Sequence, residues 1–336
     1  MNLKRALPAA WYAQAPWLRL LQPLAWLYGK LAARRRRRLE RGAYRAKAPV
    51  IVCGNISVGG AGKTPLTLAL AQELQARGLR VVILSRGYGG KSVAYPLLVN
   101  AATPVAQSGD EALLLALRAG CPVLVDPSRA RAARHAETEL QADVLVCDDG
   151  LQHYALARDI EIAVVDGARG LGNGRLLPAG PLREPPARLD TVTCVVINGE
   201  ARAPLPNFKT PRFNMHLKPQ GLHALQNGRA LSVAEWQREF GQGPVHAVAG
   251  IGNPERFFHS LRELGFVIIA HAYADHQRWQ RAELDFADAL PVLMTEKDAV
   301  KYRAFADGRH WALRVDAELP ARFFEQIHAD LIQKLF

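Results

Sequence analysis

Residues 50–77 carry the tightest constraint on how this chain can fold. A short β-branched run, Val50 to Cys53, leads into Ser57-Val-Gly-Gly-Ala-Gly-Lys-Thr64, and a helical stretch follows from Thr64 to Arg77. Glycines at 59, 60 and 62 in a strand-to-helix turn let backbone N–H groups converge on one spot. The helix N-terminus adds positive partial charge there, and the concavity suits phosphate. The spacing predicts that Lys63 reaches the β- and γ-phosphates of a nucleoside triphosphate and that the Thr64 hydroxyl binds Mg²⁺. The loop is thus read as Ser57, Val58, Gly59, Gly60, Ala61, Gly62, Lys63 and Thr64. Ser57 departs from the strict GxxxxGK[ST] pattern, which has Gly at that place.

After the loop, β-branched runs alternate with helical stretches. Candidate strands are Arg80 to Leu84, Pro122 to Val125, Asp143 to Cys147, Glu161 to Val165 and Val192 to Ile197; candidate helices are Asp110 to Arg118 and Ser128 to Leu140. Such alternation predicts an α/β fold, a P-loop NTPase-type parallel sheet covered on both faces. The run Val144 to Cys147 ends in Asp148-Asp149, placed to hold Mg²⁺ directly or through water, with either carboxylate as the closer ligand. Residues 167–186 contain nine Gly or Pro in twenty, with Arg169, Asn173, Arg175, Arg183 and Glu184 among them. So long an irregular stretch points to binding, and its guanidinium groups suit a phosphate clamp. A chain of 336 residues suggests about two domains. Ala203-Pro-Leu-Pro206 marks a boundary, and further strands are expected at Pro244 to Val248, Val267 to Ala270 and Val292 to Met294, with a helix from Pro254. The expected organisation is an arm over 1–48, a core over 49–205 and a smaller α/β domain over 206–336.

Charge sets the arm apart. Residues 1–49 hold twelve Lys and Arg against Glu40 alone, so they carry +11 of the net +12. The same stretch has Trp11, Trp17 and Trp26, and Leu20, Leu21, Leu24, Leu27, Tyr28 and Leu31 repeat at helical spacing, with Pro23 expected to kink or restart the helix. Its longest charge-free stretch, Ala6 to Leu18, is 13 residues, short of a membrane span. An amphipathic helix lying on an anionic membrane fits best. A helix packed on its own domain and a nucleic-acid arm are the other readings; no nucleic-acid module is recognisable elsewhere. Four cysteines without CxxC spacing exclude a disulfide framework and suit buried, reduced thiols in a cytosolic body.

Taken in order, the loop with Pro65, Ser85-Arg-Gly-Tyr-Gly89, Gly109-Asp-Glu111, Asp148-Asp-Gly-Leu-Gln-His-Tyr154, Asp166-Gly-Ala-Arg169, Leu177-Pro-Ala-Gly-Pro-Leu-Arg-Glu184, Ala249 to Phe257, Asp275-His276 and Thr295-Glu-Lys-Asp298 form a set. This set resembles the tetraacyldisaccharide 4′-kinase (lipid A 4′-kinase) family of Gram-negative bacteria over essentially the whole chain. The resemblance implies transfer of the ATP γ-phosphate to the 4′-hydroxyl of an acylated glucosamine disaccharide 1-phosphate, giving lipid IVA. It also implies a two-domain fold and a peripheral enzyme on the cytoplasmic face of the anionic inner membrane. Carried over position by position, it implies Asp110 as the base, assisted by His276; Gln152 and His153, following the paired carboxylates, are expected to line the acceptor site, and Arg183 and Glu184 to lie near phosphate or sugar as substrate-binding residues. Gln277 stands where the family often has a second His. On its own, Asp110 reads first as a favourable acid in a helix first turn, and Thr295 as a helix cap with no chemistry. Two other functions fit parts of the pattern. One is a membrane-recruited ATPase switch, disfavoured by Val58 where such proteins carry Lys; the other is a lipid-binding scaffold with a decayed nucleotide site.

Overall fold

The computed structural model describes residues 3–275, 277 and 279–335. The chain divides into two compact units. Unit 1 comprises residues 1–86, 119–216 and 317–336; unit 2 comprises 87–118 and 217–316. Residues 87–118, grouped with the core on sequence, cluster with the second unit.

In unit 1 the strands run in the order Arg212–Ala224 (its residues 212–216), Cys194–Asn198, Ile160–Asp166, Val50–Gly54, Val144–Cys147, Val81–Ser85 and Val123–Val125. Every adjacent pair is parallel. Val50–Gly54 is central and buried throughout, which is why it carries no alternating polar residue. Its register, Val52 opposite Cys147 and Gly54 opposite Ala163, brings the carboxyl ends of three strands to one edge. The loops after those ends therefore meet, as ligand-binding loops do in open α/β sheets. Helix Lys63–Ala76 packs on the sheet through Leu66, Leu70, Ala71 and Leu74, and Arg129–Thr138 through Ala132, Ala133 and Ala136.

The arm belongs to unit 1. Helix Leu3–Tyr12 is followed by a 3₁₀ turn, Pro16–Leu21, and a long helix, Gln22–Arg41. Pro23 sits in the first turn of that last helix, where its missing N–H has no partner to lose, so the helix restarts there. Trp11, Leu18 and Ala25 are buried, whereas Trp17, Leu20, Leu24, Trp26, Leu27 and Leu31 are exposed. Among the described residues no helix is long and apolar enough to cross a membrane.

Unit 2 has its own sheet, in the order Val267–Ala272, Pro244–Ala249, Val292–Thr295, His310–Glu318 and then residues 217–224. The first four are parallel, and residues 217–224 pair antiparallel with Ala230–Leu231. Its core centres on Trp236, Phe258, Leu261, Leu293 and Trp311. Strand Arg212–Ala224 escaped sequence reading because Pro219 and Gly221, ordinarily strand breakers, interrupt its alternation.

Candidate active site

The glycine loop leaves Val50–Gly54 and enters helix Lys63–Ala76 at Gly62, whose φ of +93° is left-handed. A Cβ there would lie 2.2 Å from Asn198 Nδ2, the group that donates to the Ala61 carbonyl at 3.0 Å. Only glycine meets both demands. Buried Asn55 closes the other side of the turn, its Nδ2 donating to the Gly59 carbonyl at 3.2 Å. Ser57 bridges Leu182 and the Val58 N–H donates to the Pro181 carbonyl at 2.8 Å, so the loop is strapped to residues 181–184.

Asp148 and Asp149 follow strand Val144–Cys147 and split their partners. Buried Asp148 receives the Thr67 hydroxyl at 3.0 Å on one oxygen and the Thr64 hydroxyl at 3.5 Å on the other. Asp149 adopts φ +46°, a left-handed conformation that Asp tolerates better than most residues, and turns away from Asp148. Its carboxylate faces Lys63 Nζ at 3.8 Å and Arg183 Nη2 at 3.1 Å. Burial works to raise the Asp149 pKa, but the Lys63 and Arg183 charges outweigh it and hold the carboxyl well below its usual range. It is ionised at any working pH.

Around this pair stand the other residues singled out on sequence. Arg183 also donates to the Asn55 carbonyl at 2.9 Å and contacts the Asn55 amide oxygen. Gln152 Nε2 donates to the Asn55 carbonyl at 3.1 Å and to Glu184 Oε1 at 2.7 Å. Buried Glu184 accepts the Tyr154 hydroxyl on its second oxygen. Burial, with Arg129 and Arg86 adding to it, pushes the His153 pKa down to about 3. His153 is therefore neutral at pH 7, a hydrogen-bonding group and not a counter-charge.

Four residues of this site were not legible as such. Asn55, Thr67 and Asn198 look like ordinary strand-end or helix residues until the loop folds against them. Arg129 lies at the start of a helix yet is buried, with Nη2 donating to the Asp148 carbonyl at 2.9 Å. The only local hint is Asp126-Pro-Ser-Arg129, a helix start with Ser128 as its cap.

Asp110 belongs to unit 2, as the buried first residue of helix Asp110–Arg118. Its Oδ1 accepts the Glu111 N–H at 2.9 Å, and Lys301 Nζ stands 3.9 Å from its Oδ2. Lys301 also pairs with Asp298 at 2.7 Å, while Lys297 bridges Glu111 at 3.0 Å and Asp275 at 3.3 Å. Thr295 caps helix Glu296–Tyr302, receiving the Asp298 N–H at 3.1 Å. Gln277 Nε2 donates to Glu283 at 2.9 Å. His276 lies outside the described residues.

The profile of the LpxK family, tetraacyldisaccharide-1-P 4′-kinase, matches residues 17–332. A tetraacyldisaccharide 4′-kinase of Pseudomonas aeruginosa strain LESB58 is 48% identical over 320 residues, covering 94% of each chain. One from Ectopseudomonas mendocina is 46% identical over 334 residues, covering 98% of each. Among solved structures, LpxK from Aquifex aeolicus in complex with ATP superposes with a TM-score of 0.78 at 28% identity, over 95% of this chain and 99% of that one. A match that spans the loop, the paired carboxylates and both units together leaves one assignment: the chain belongs to the tetraacyldisaccharide-1-P 4′-kinase family.

Proposed function

We propose that this chain transfers the γ-phosphoryl group of ATP to the 4′-hydroxyl of a tetraacylated glucosamine disaccharide 1-phosphate, giving lipid IVA. One observation carries the reading. A glycine loop of the kind that cradles phosphate presents Lys63 to Asp149 and Thr64 to Asp148, with Arg183 strapped beside them. Two cations and two carboxylates there suit a polyphosphate and its counter-ion.

The residues also fit Mg²⁺. Thr64 and Asp148 offer hard oxygens 3.5 Å apart, and Asp149 offers a second carboxylate. Magnesium keeps waters and phosphate oxygens as ligands, so one or two carboxylates are enough. When bound, it would neutralise charge on the phosphates. The loop N–H groups and Lys63 hold the β- and γ-phosphates, and Arg183 orients the transferred group. Asp110, with His276, takes the proton of the 4′-hydroxyl as that oxygen bonds to phosphorus and the bond to the β-phosphate oxygen breaks. Gln152, neutral His153 and Glu184 supply hydrogen bonds to the sugar. The exposed Trp and Leu stripe of the arm, with its arginines, seats the enzyme on the anionic cytoplasmic face of the inner membrane, where the acceptor resides.

The test is transfer of label from γ-labelled ATP to the acylated disaccharide, with the site of phosphorylation determined on the product. Lys63→Ala should abolish transfer while the circular dichroism spectrum stays unchanged. Consumption of ATP with no label in glycolipid would overturn the reading.

A further inference from the structure

The arm does more than present a greasy face outward: its inner face is built onto the segment that straps the phosphate loop. Tyr28 donates its hydroxyl to the Arg183 carbonyl at 3.1 Å. One residue on, a Cβ at Gly29 would lie 2.8 Å from Leu176 Cδ1, so a helix-weakening glycine sits where this segment comes closest. Trp11 Nε1 donates to the Pro178 carbonyl at 2.9 Å. Further along, Arg36 turns inward from the arginine run, its Nη1 3.6 Å from Glu184 Oε2 and its guanidinium over the Tyr154 ring.

On its other side the same segment is tied to the site. The Arg183 N–H donates to the Ile56 carbonyl at 2.7 Å, and its guanidinium holds Asn55 and Asp149. Glu184 holds Gln152, which also bonds Asn55. Arg183 and Glu184 are thus gripped from both faces, by the arm outside and by the loop inside.

We propose that Tyr28 and Arg36 are positioning residues for phosphoryl transfer, acting through Arg183 and Glu184. This inference rests on the nucleotide-site reading above. The Tyr28 hydroxyl sets where the Arg183 backbone stands, and so where its guanidinium meets Asp149. Arg36 does the same for Glu184 and Gln152. An arm that only anchored the enzyme would have no need of either contact.

The experiment uses the full chain in mixed micelles with saturating acylated disaccharide. It compares Tyr28→Phe, Arg36→Gln and Arg36→Lys with the parent for kcat, KM and melting temperature. The Kd for Mg·ATP without lipid and co-sedimentation with anionic vesicles are measured on the same proteins. Loss of one such hydrogen bond should lower kcat about fivefold in Tyr28→Phe and weaken ATP by a similar factor. KM for the disaccharide should stay put in Tyr28→Phe and rise in Arg36→Gln, vesicle binding and melting temperature should stay put in both, and Arg36→Lys should recover most of what Arg36→Gln loses. Parental kcat and ATP affinity in both Tyr28→Phe and Arg36→Gln would overturn the proposal. So would activity lost only in proportion to vesicle binding or to melting temperature. If the parent chain bound ATP yet phosphorylated no disaccharide, the function would fall, while the ATP affinities of the variants would still decide this clamp.

Discussion

Asp149 shows how much a single backbone conformation decides. Its left-handed φ swings the carboxylate away from Asp148, which is already committed to Thr64 and Thr67, and onto Lys63 and Arg183. Two adjacent acids that would repel if they shared one site are separated by a turn. Strain of this kind at a functional position persists only where the surroundings over-determine it, here through two cations. His153, four residues beyond Asp149, has the opposite balance. Its folded-state pKa of about 3 lies below the ordinary 6.5, so the unfolded chain takes up the proton first as pH falls. Stability should therefore drop as pH goes below about 6.5, down to the folded value. Replacing His153 with Gln removes that proton uptake. In urea titrations the variant should lose about 2 kcal/mol less than the parent between pH 7 and pH 5. Identical slopes would mean that His153 is not held neutral.

At the scale of elements, the arm is the part whose reading changed most. The arginine run looked uniform in sequence, yet Arg34, Arg35, Arg37 and Arg38 are exposed while Arg36 turns to the core. Self-packing and an outward apolar stripe, weighed on sequence as alternatives, both occur on different faces of one helix. Leu20, Leu24, Leu27 and Leu31 repeat at four- and three-residue steps, and Leu20 is 81% exposed. Because these leucines are exposed, changing the outermost of them tests the surface while leaving the buried core untouched. The pair Leu20→Glu and Leu24→Glu should lower partition onto anionic vesicles by at least about tenfold with no change in melting temperature. Unchanged partition would remove the membrane role of the stripe. Truncating the whole arm is a poorer test, since it also strips Trp11, Leu18 and Tyr28 from their sites.

For the molecule as a whole, the two compact units carry different parts of the proposed chemistry. Unit 1 holds the phosphate loop, the paired carboxylates and Arg183; unit 2 holds Asp110. This division makes a sharp kinetic prediction. Asp110→Asn should lower kcat by about a thousandfold, in the range of a lost general base, while the Kd for ATP stays within twofold or so. The fold should survive, because Lys301 keeps Asp298 at 2.7 Å as its partner. Equal losses in turnover and in ATP affinity would assign Asp110 to nucleotide binding or to folding instead.

Local pattern alone determined a good deal: the strand–glycine loop–helix unit, the paired carboxylates at a strand end, six of the seven strands of unit 1 to within about two residues, and an amphipathic cationic arm. Each depends on neighbours a few residues apart, where propensity, turn chemistry and periodicity act. Tertiary structure decided the rest. It set Arg183 on Asp149, Asn198 under the loop, Arg129 behind Asp148 and Tyr28 on the Arg183 carbonyl. It also placed residues 87–118 in unit 2 and carried a strand through Pro219 and Gly221. Those outcomes join positions tens to more than a hundred residues apart, and only the register of parallel strands and the packing of helices on them fixes which distant side chains meet.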